Sequence, residues 1–165
     1  MNRRHTLEQY KDTISKIQEN GKFVSTVLMS AFPTETYEDL NCTIDFIRNN
    51  NILVGLICRY SDFACIPSHD LEQLSNSESI KHTRYLKERI SISNKEIMTN
   101  MIPQLGNSIV IGHSKDGKRT FFENVVSGYS YKKEFLDCKP GDIITSKPKM
   151  LVKKKKNDYA YEYRY

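Results

Sequence analysis

Apolar positions along the chain alternate between continuous runs and stripes at helical spacing, and this pattern predicts most of its elements. Phe23 to Ser30 and Ile52 to Cys58 are continuous apolar or β-branched runs, typical of parallel strands buried on both faces. The segment between them carries a helical stripe formed by Tyr37, Leu40, Ile44 and Ile47. It is long enough for the crossover that parallel strands need. The pattern therefore predicts a βαβ unit.

Potential capping boxes mark where three helices begin, because each pairs a hydroxyl residue with a carboxylate or amide three residues later. The pairs are Thr6 with Gln9, Thr36 with Asp39, and Ser75 with Glu78. The third helix carries one apolar face, made of Ile80, Leu86, Ile90, Ile97 and Met101. Asn20 and Gly21 end the first helix, since glycine is a favoured helix terminator.

From Asn107 onward the pattern changes to short strands separated by turn signals. The candidates are residues 108–111, 120–126, 128–131 and 142–146. An Asp-Gly pair within Lys115 to Lys118 predicts a hairpin turn between the first two. Such spacing is typical of a small antiparallel barrel. The alternating tyrosines from Tyr159 predict one further strand, with a disordered end as the alternative.

These elements together predict an α/β fold in which a partial (βα) barrel slice is followed by a small antiparallel β-barrel. We expect the slice to cover residues 1–75, a linker helix 76–105, and the barrel with its basic tail 106–165. Two strands cannot close a sheet, so the slice by itself is incomplete.

Charge divides the chain in the same way. Residues 1–114 hold 12 Lys and Arg against 13 Asp and Glu, a net charge of −1, whereas residues 115–165 hold 13 against 7, a net charge of +6. The basic excess therefore lies in the last third and points to a polyanionic partner. No apolar run approaches the roughly 20 residues of a membrane span, so we expect no membrane association.

Metal and nucleophile chemistry has little support in the residue pattern. The four cysteines have neither zinc-site nor disulfide spacing, and they are Cys42, Cys58, Cys65 and Cys138. We expect Cys58 to be buried in its strand and Cys65 to lie in a loop. The four histidines are dispersed, so no metal ligand and no catalytic residue is assigned.

Taken together, the segments resemble radical SAM tRNA methylthiotransferases. Residues 1–6 look like the Met-x-Arg segment of that family, and Phe32 to Thr36 looks like its Gly-Phe-Pro-Gly-Glu-Thr turn. Tyr60-Ser61 matches the Tyr-Ser that follows a later strand. Residues from about 106 look like a TRAM domain, a small β-barrel that holds tRNA. The resemblance implies the late barrel and TRAM portion of such an enzyme.

This resemblance also defines where the chain departs from the family. Ala31 and Thr34 stand where the turn has glycines, and Val27 stands where an acidic residue is usual. The Cys-x3-Cys-x2-Cys cluster motif has no counterpart. The complete family enzyme uses S-adenosylmethionine and 4Fe-4S clusters, and we expect this chain alone to bind neither and to be inactive without the missing N-terminal part.

Site residues follow from the same resemblance. Arg3 corresponds to an arginine near S-adenosylmethionine, where a guanidinium can pair with the methionyl carboxylate. Glu35 lies in the turn that borders this cofactor, although an ordinary capped turn is the favoured alternative. Lysines that neutralise phosphates and aromatics that stack on bases suggest RNA contact by Lys115, Lys118, Arg119, Tyr129, Tyr131, Lys132 and Lys133.

The function implied is the C-terminal portion of an enzyme that adds a 2-methylthio group to an N6-modified adenosine beside the anticodon. Its partner would be the anticodon stem-loop of tRNA. The alternatives are a non-catalytic tRNA- or RNA-binding module, or a decayed paralogue without a stable fold. We expect a cytoplasmic location, with an organelle as the alternative.

Overall fold

The computed structural model describes residues 4–101, 106–125, 130–146, 150–153 and 161–164. Helices in chain order are α1 (Leu7–Glu19), α2 (Tyr37–Asn49), a 3₁₀ turn (Pro67–Asp70) and α3 (Asn76–Met101). Strands are β1 (Val24–Ser30), β2 (Ile52–Arg59), β3 (Asn107–His113), β4 (Arg119–Asn124), β5 (Ser130–Glu134), β6 (Ile143–Thr145), β7 (Met150–Lys153) and β8 (Tyr161–Arg164). None of these helices is long and apolar enough to span a bilayer.

The chain divides into two compact units. Val24–Ile97 makes up most of the first, which we call the crossover unit. Met98–Val152 together with α1 makes up most of the second, which we call the sheet unit. The domain boundaries expected from the sequence, at residues 75 and 105, remain a prediction.

All three predicted capping boxes are present. At α1 the Gln9 backbone N–H donates to the Thr6 hydroxyl at 3.3 Å, and the Gln9 side chain accepts from the Thr6 N–H at 2.9 Å. The same reciprocal bonds join Thr36 to Asp39 and Ser75 to Glu78. Each box satisfies backbone donors that a helix start leaves unpaired, so local sequence determines where these helices begin.

In the crossover unit, β1 and β2 pair in parallel, from Val24 opposite Ile52 to Ser30 opposite Arg59. Helix α2 connects them and buries three apolar residues of its predicted stripe, which are Leu40, Ile44 and Ile47. The predicted βαβ arrangement is confirmed. Burial of these side chains removes apolar surface from water, which contributes about 1.5–3 kcal/mol for each fully buried residue.

The prediction that both faces of this strand pair are buried is wrong. Val27 and Leu56 are partners across the pair, and they are 62% and 47% exposed. Cys58, expected to be buried, is also exposed, because strand alternation places it on the face opposite the buried Ile57. Ile80 of the predicted α3 stripe is likewise half exposed. An apolar run therefore predicted the strands correctly but not what covers them.

An asparagine of α3 protects the free edge of β2. The Val54 backbone N–H donates to Asn94 Oδ1 at 3.0 Å, and Asn94 Nδ2 donates to the Val54 carbonyl at 3.0 Å. Asn94 is buried. Its amide thus replaces the peptide group that a neighbouring strand would offer, which satisfies an otherwise unpaired edge.

The sheet unit contains four antiparallel strands in the order β5-β4-β3-β6. A hairpin turn joins β3 to β4, with Gly117 at a φ of +65°, as the predicted Asp-Gly turn requires. Phe122 on β4 is fully buried and is the largest fully buried side chain among the described residues. The predicted α/β class, with a parallel slice followed by antiparallel strands, is confirmed. β7 and β8 form a separate pair, so a strand exists within the tyrosine-rich tail.

Candidate nucleic-acid interface and cofactor-side turn

The turn after β1 keeps a glycine-type backbone without glycines. The Glu35 N–H donates to the Phe32 carbonyl at 3.0 Å, which closes a turn with Pro33 second and Thr34 third. Thr34 has a φ of 69°, as the third position of a type II turn requires, and Ala31 has a φ of 60°. Left-handed backbone costs a non-glycine residue about 1–2 kcal/mol, so this conformation must be held by neighbouring contacts.

Glu35 supplies one of those contacts. Its Oε2 accepts the Ala31 backbone N–H at 2.7 Å and lies 3.5 Å from His82 Nδ1 on α3. Both side chains are largely buried, at 14% and 8% exposure. Burial raises the pKa of Glu35, while the Ala31 N–H and His82 oppose that rise. The carboxylate therefore closes the turn and ties it to α3.

The rest of this strand end is closed by similar internal contacts. The Ser30 and Thr83 hydroxyls share a hydrogen bond of 2.9 Å, which joins the end of β1 to α3. The Tyr37 ring lies 4.5 Å from the His82 ring, centroid to centroid, and covers that side chain. Apart from His82 Nδ1, which is buried without a hydrogen-bond partner, these polar groups bond to one another within the fold.

The cofactor-side predictions have different outcomes. Arg3 lies outside the described residues, so its role stays a prediction. Glu35 as a cofactor contact also stays a prediction, although its carboxylate already holds Ala31. Among the described residues, no three potential metal ligands cluster together. The donor set does not fit a 4Fe-4S cluster, because the cysteines are widely spaced and three of them lie exposed and apart in sequence.

The antiparallel sheet divides the predicted RNA-binding residues between its two faces. Tyr131 is opposite the buried Phe122, and their rings stack at 5.1 Å with an 18° interplanar angle. Lys133 is opposite the buried Thr120, and its Nζ donates to the Ser146 hydroxyl at 2.7 Å. Directly opposite residues share a face, so both side chains lie on the core side. They support the sheet from within.

Phe121 and Lys132 occupy the outer face. They are direct partners across β4 and β5, and Phe121 is opposite Gly112 on β3. Lys132 is exposed and Phe121 is half-buried. A Cβ added at Gly112, the partner of Phe121 on β3, would meet no heavy atom within 4 Å. The outer face therefore offers an accessible aromatic ring next to an ammonium group.

The hairpin turn adds three more cations at the end of the same strands. Lys115, Lys118 and Arg119 are all exposed. Asp116 is fixed within this turn by the Ser114 hydroxyl and by the Lys118 backbone N–H at 3.1 Å, and these bonds lower its pKa. Because the aspartate accepts bonds within the turn, it orders the backbone that carries the lysines.

Two carboxylates share the outer face and limit where a polyanion would bind. Glu134 is opposite Arg119, and Glu123 is opposite Ser130. Opposite charges directly across a strand pair stabilise the sheet and reduce the local field. The unopposed cations of this surface are therefore Lys132 and the turn lysines. We call Lys115, Lys118, Arg119, Phe121 and Lys132 the outer basic surface.

The predicted RNA contact Tyr129 lies outside the described residues, so its role stays a prediction. Sequence reasoning found most of the rest of this surface but missed two features. Phe121 and Phe122 could be separated only by strand register, because either one could have been the core residue. His82 was assigned no role, because helical spacing alone does not show that its position on α3 lies near the Glu35 turn. Of the two cysteine predictions, the buried position of Cys58 is wrong, whereas the loop position of Cys65 is confirmed.

Comparison with known proteins identifies relatives with one function. The chain is 31% identical over 125 residues to the tRNA-2-methylthio-N(6)-dimethylallyladenosine synthase of Clostridioides difficile, covering 73% of the chain and 26% of the relative. It is 28% identical over 123 residues to the Clostridium tetani protein of that name, covering 72% and 27%. For the Colwellia psychrerythraea protein, identity is 25% over 159 residues, covering 88% and 33%.

These matches lie in the C-terminal part of the relatives. The chain spans about a quarter to a third of the length of these curated relatives. No protein-family model matches the chain. The resemblance to tRNA methylthiotransferases is confirmed, and the chain corresponds to a C-terminal portion of such proteins.

Proposed function

We propose that this chain, as the counterpart of the C-terminal portion of a tRNA methylthiotransferase, holds tRNA for 2-methylthio modification. The sheet unit is the RNA-binding part, equivalent to a TRAM domain. The substrate is tRNA carrying an N6-modified adenosine, bound through its anticodon stem-loop. We propose a cytoplasmic site of action, where tRNA is available.

The observation that carries this proposal is the outer basic surface. Phe121 is half-buried on the outer face and lies opposite Lys132, with the turn lysines at the end of the same strands. An unpaired base stacking on an aromatic ring gains about 1–3 kcal/mol. Neighbouring ammonium groups gain further free energy by releasing counterions from phosphates. This combination suits the exposed bases and backbone of a tRNA loop.

The radical chemistry of the proposed complete enzyme requires residues beyond those described. In the complete family enzyme, bound S-adenosylmethionine and 4Fe-4S clusters would supply the radical chemistry, and no described residue of this chain is assigned to hold them. The described cysteines do not provide ligands for that cluster. The contribution that we propose for this chain is to bind and orient tRNA, and an N-terminal barrel portion is the partner that supplies the chemistry.

Titration of tRNA and its isolated anticodon stem-loop tests this proposal with a pair of oppositely directed variants. Lys132→Gln should weaken binding about three- to tenfold and reduce the slope of log affinity against log salt by about one. Glu123→Gln, on the same outer face, should strengthen binding because it removes a repelling charge. Lys16→Gln on α1 removes the same charge from a lysine that is paired with Asp12, and is the control.

Circular dichroism of each variant checks that the fold is kept. If tRNA binding responds to neither Lys132→Gln nor Glu123→Gln, the outer basic surface is not the RNA site and the proposal fails. If wild-type protein does not bind tRNA even at low salt, the proposal also fails.

A further inference from the structure

The crossover unit contains a groove that the proposed function does not use. It has a volume of about 820 Å³ and is open to solvent along one side. Its described lining comes from the end of β2 and from one face of α3, and consists of Ile57, Arg59, Ile80, Thr83, Arg84, Lys87 and Glu88. The volume falls within the range of about 300–1,000 Å³ that is usual for small-ligand sites.

The charge of the groove is mainly positive. Arg59, Arg84 and Lys87 contribute three cations, and Glu88 is the single acidic residue among the described lining residues. Within the described chain, no carboxylate lies at ion-pair distance from the Arg84 guanidinium. Arg84 and Lys87 are three residues apart, so they are neighbours on the helix surface. The groove thus concentrates positive charge that the protein itself neutralises only in part.

Internal contacts hold the groove in shape. The Arg59 Nη1 donates to Asn76 Oδ1 at 3.1 Å, which orients this guanidinium at the start of α3. The Thr83 hydroxyl bonds to the Ser79 carbonyl at 2.8 Å and to the Ser30 hydroxyl at 2.9 Å. These bonds fix the helix face against the end of β1, so the cations are carried on an ordered scaffold.

Apolar side chains form the walls between the cations. Ile57 is buried beneath the groove, whereas Ile80 is 50% exposed beside it. The exposure of Ile80 contradicts the simple apolar stripe expected for α3, and the groove explains it, because Ile80 borders open space rather than the core. A ligand with both anionic groups and flat or aliphatic surface matches such a lining.

We infer that this groove binds the phosphate groups of a ribonucleotide ligand. Arginine forms paired hydrogen bonds to phosphate oxygens, and two of the three cations are arginines. The isoleucines provide surface for the ribose or base. The phosphate can be carried by a strand of RNA or by a free nucleotide, since both present the same chemistry to the groove. The groove shares no residue with the outer basic surface.

Two probes distinguish these sources, each titrated into the full chain. The first is a labelled single-stranded ribo-oligonucleotide followed by fluorescence anisotropy, and the second is ATP followed by calorimetry. Arg84→Glu reverses an exposed charge of the groove, and Arg89→Glu makes the same change on the opposite face of α3. Arg89 lies over the Tyr85 ring, so the thermal stability of both variants is measured alongside.

We expect Arg84→Glu to weaken binding of at least one probe about fivefold or more, with little change for Arg89→Glu. Weakening of oligonucleotide binding assigns the groove to an RNA strand, and weakening of ATP binding alone assigns it to a free nucleotide. If Arg84→Glu changes neither affinity, or if wild-type protein binds neither probe, the inference is overturned.

Lys132→Gln, measured with the same oligonucleotide, separates this inference from the proposed function. If Lys132→Gln weakens oligonucleotide binding while Arg84→Glu changes neither probe, the outer basic surface stands and the groove assignment fails. If Arg84→Glu weakens binding while Lys132→Gln does not, the groove assignment stands and the RNA site proposed for the sheet unit fails.

Discussion

The two units use their polar residues in opposite ways. At the end of β1 in the crossover unit, Glu35 accepts a backbone N–H and lies beside His82, while the Ser30 and Thr83 hydroxyls bond to each other. On the outer face of the sheet unit, Lys132 and the turn lysines point to solvent. The first arrangement stabilises a turn, and the second is available to a partner.

This contrast shows which unit has polar side chains available for binding, although the turn after β1 departs from the family motif. In the turn that resembles a cofactor-binding turn, Ala31 and Thr34 have a left-handed backbone. Its carboxylate, Glu35, already accepts a hydrogen bond from the Ala31 N–H. The sheet unit has a half-buried aromatic ring, Phe121, next to exposed cations. RNA binding is therefore the activity that we propose for the described residues.

The largest expected effect separates two adjacent phenylalanines. Phe122→Ala should reduce the free energy of unfolding by about 3–5 kcal/mol, because it empties a fully buried site. Phe121→Ala should cost far less stability yet weaken tRNA binding. Urea denaturation and tRNA titration of both variants measure the two effects. Equal loss of stability in the two variants would contradict the assignment of faces.

The next effect concerns the edge of the parallel pair. Asn94→Leu should reduce the free energy of unfolding by about 2–4 kcal/mol, because it leaves the buried Val54 N–H and carbonyl without the amide. Asn100→Leu, at an exposed position of the same helix, is the control and should have little effect. If Asn94→Leu reduces the free energy of unfolding no more than Asn100→Leu does, the Asn94 amide does not stabilise the edge of β2.

A smaller effect, of opposite sign, is expected in the turn after β1. Ala31→Gly and Thr34→Gly should each raise the free energy of unfolding by about 0.5–1 kcal/mol, since glycine adopts positive φ without strain. Ala64→Gly in an exposed loop should instead be neutral or slightly destabilising, because it only frees the unfolded chain. Thermal denaturation measures all three, and destabilisation by both turn glycines would contradict the strained conformation.

The smallest effect is a pH dependence at Glu35. Because burial raises its folded pKa above the ordinary 4.5, the stabilisation from this group is complete below pH 4.5 and is lost as pH rises through the folded pKa. Glu35→Gln stays neutral, so its stability relative to wild type should improve between about pH 4 and pH 7. His82 and Asp39, which act on this carboxylate, remain present in the variant.

Exposed Glu38→Gln provides the control for this pH comparison. Chemical denaturation at several pH values measures the difference between each variant and wild type. A relative stability of Glu35→Gln that falls as pH rises would mean that His82, rather than burial, dominates the carboxylate.

Local signals in the sequence predicted what local interactions determine. The capping boxes at Thr6, Thr36 and Ser75 place the helix starts correctly, because their hydrogen bonds involve residues only three apart. The Asp-Gly turn before β4 also formed as expected, since a positive φ at Gly117 is a local requirement.

Properties that depend on distant partners were not predictable in the same way. The exposure of Val27 and Cys58 depends on what covers one strand face, and the Glu35–His82 contact joins residues on separate elements. The division of Tyr131 and Lys132 between two faces depends on strand register, which a one-residue shift would reverse. Sequence pattern therefore identified the elements and the basic region, whereas tertiary packing decided which side chains are accessible.

Ultraviolet crosslinking of the full chain to tRNA, followed by mass spectrometry, tests the central claim most directly. The account predicts a nucleotide adduct attached at Phe121 in the tryptic peptide from Thr120 to Lys132. In Lys132→Gln, where trypsin cleaves at Lys133 instead, the corresponding peptide from Thr120 to Lys133 should carry the adduct at reduced yield. If tRNA binds but crosslinks only to peptides within residues 24–97, the sheet unit is not the part that holds RNA, and the account is contradicted.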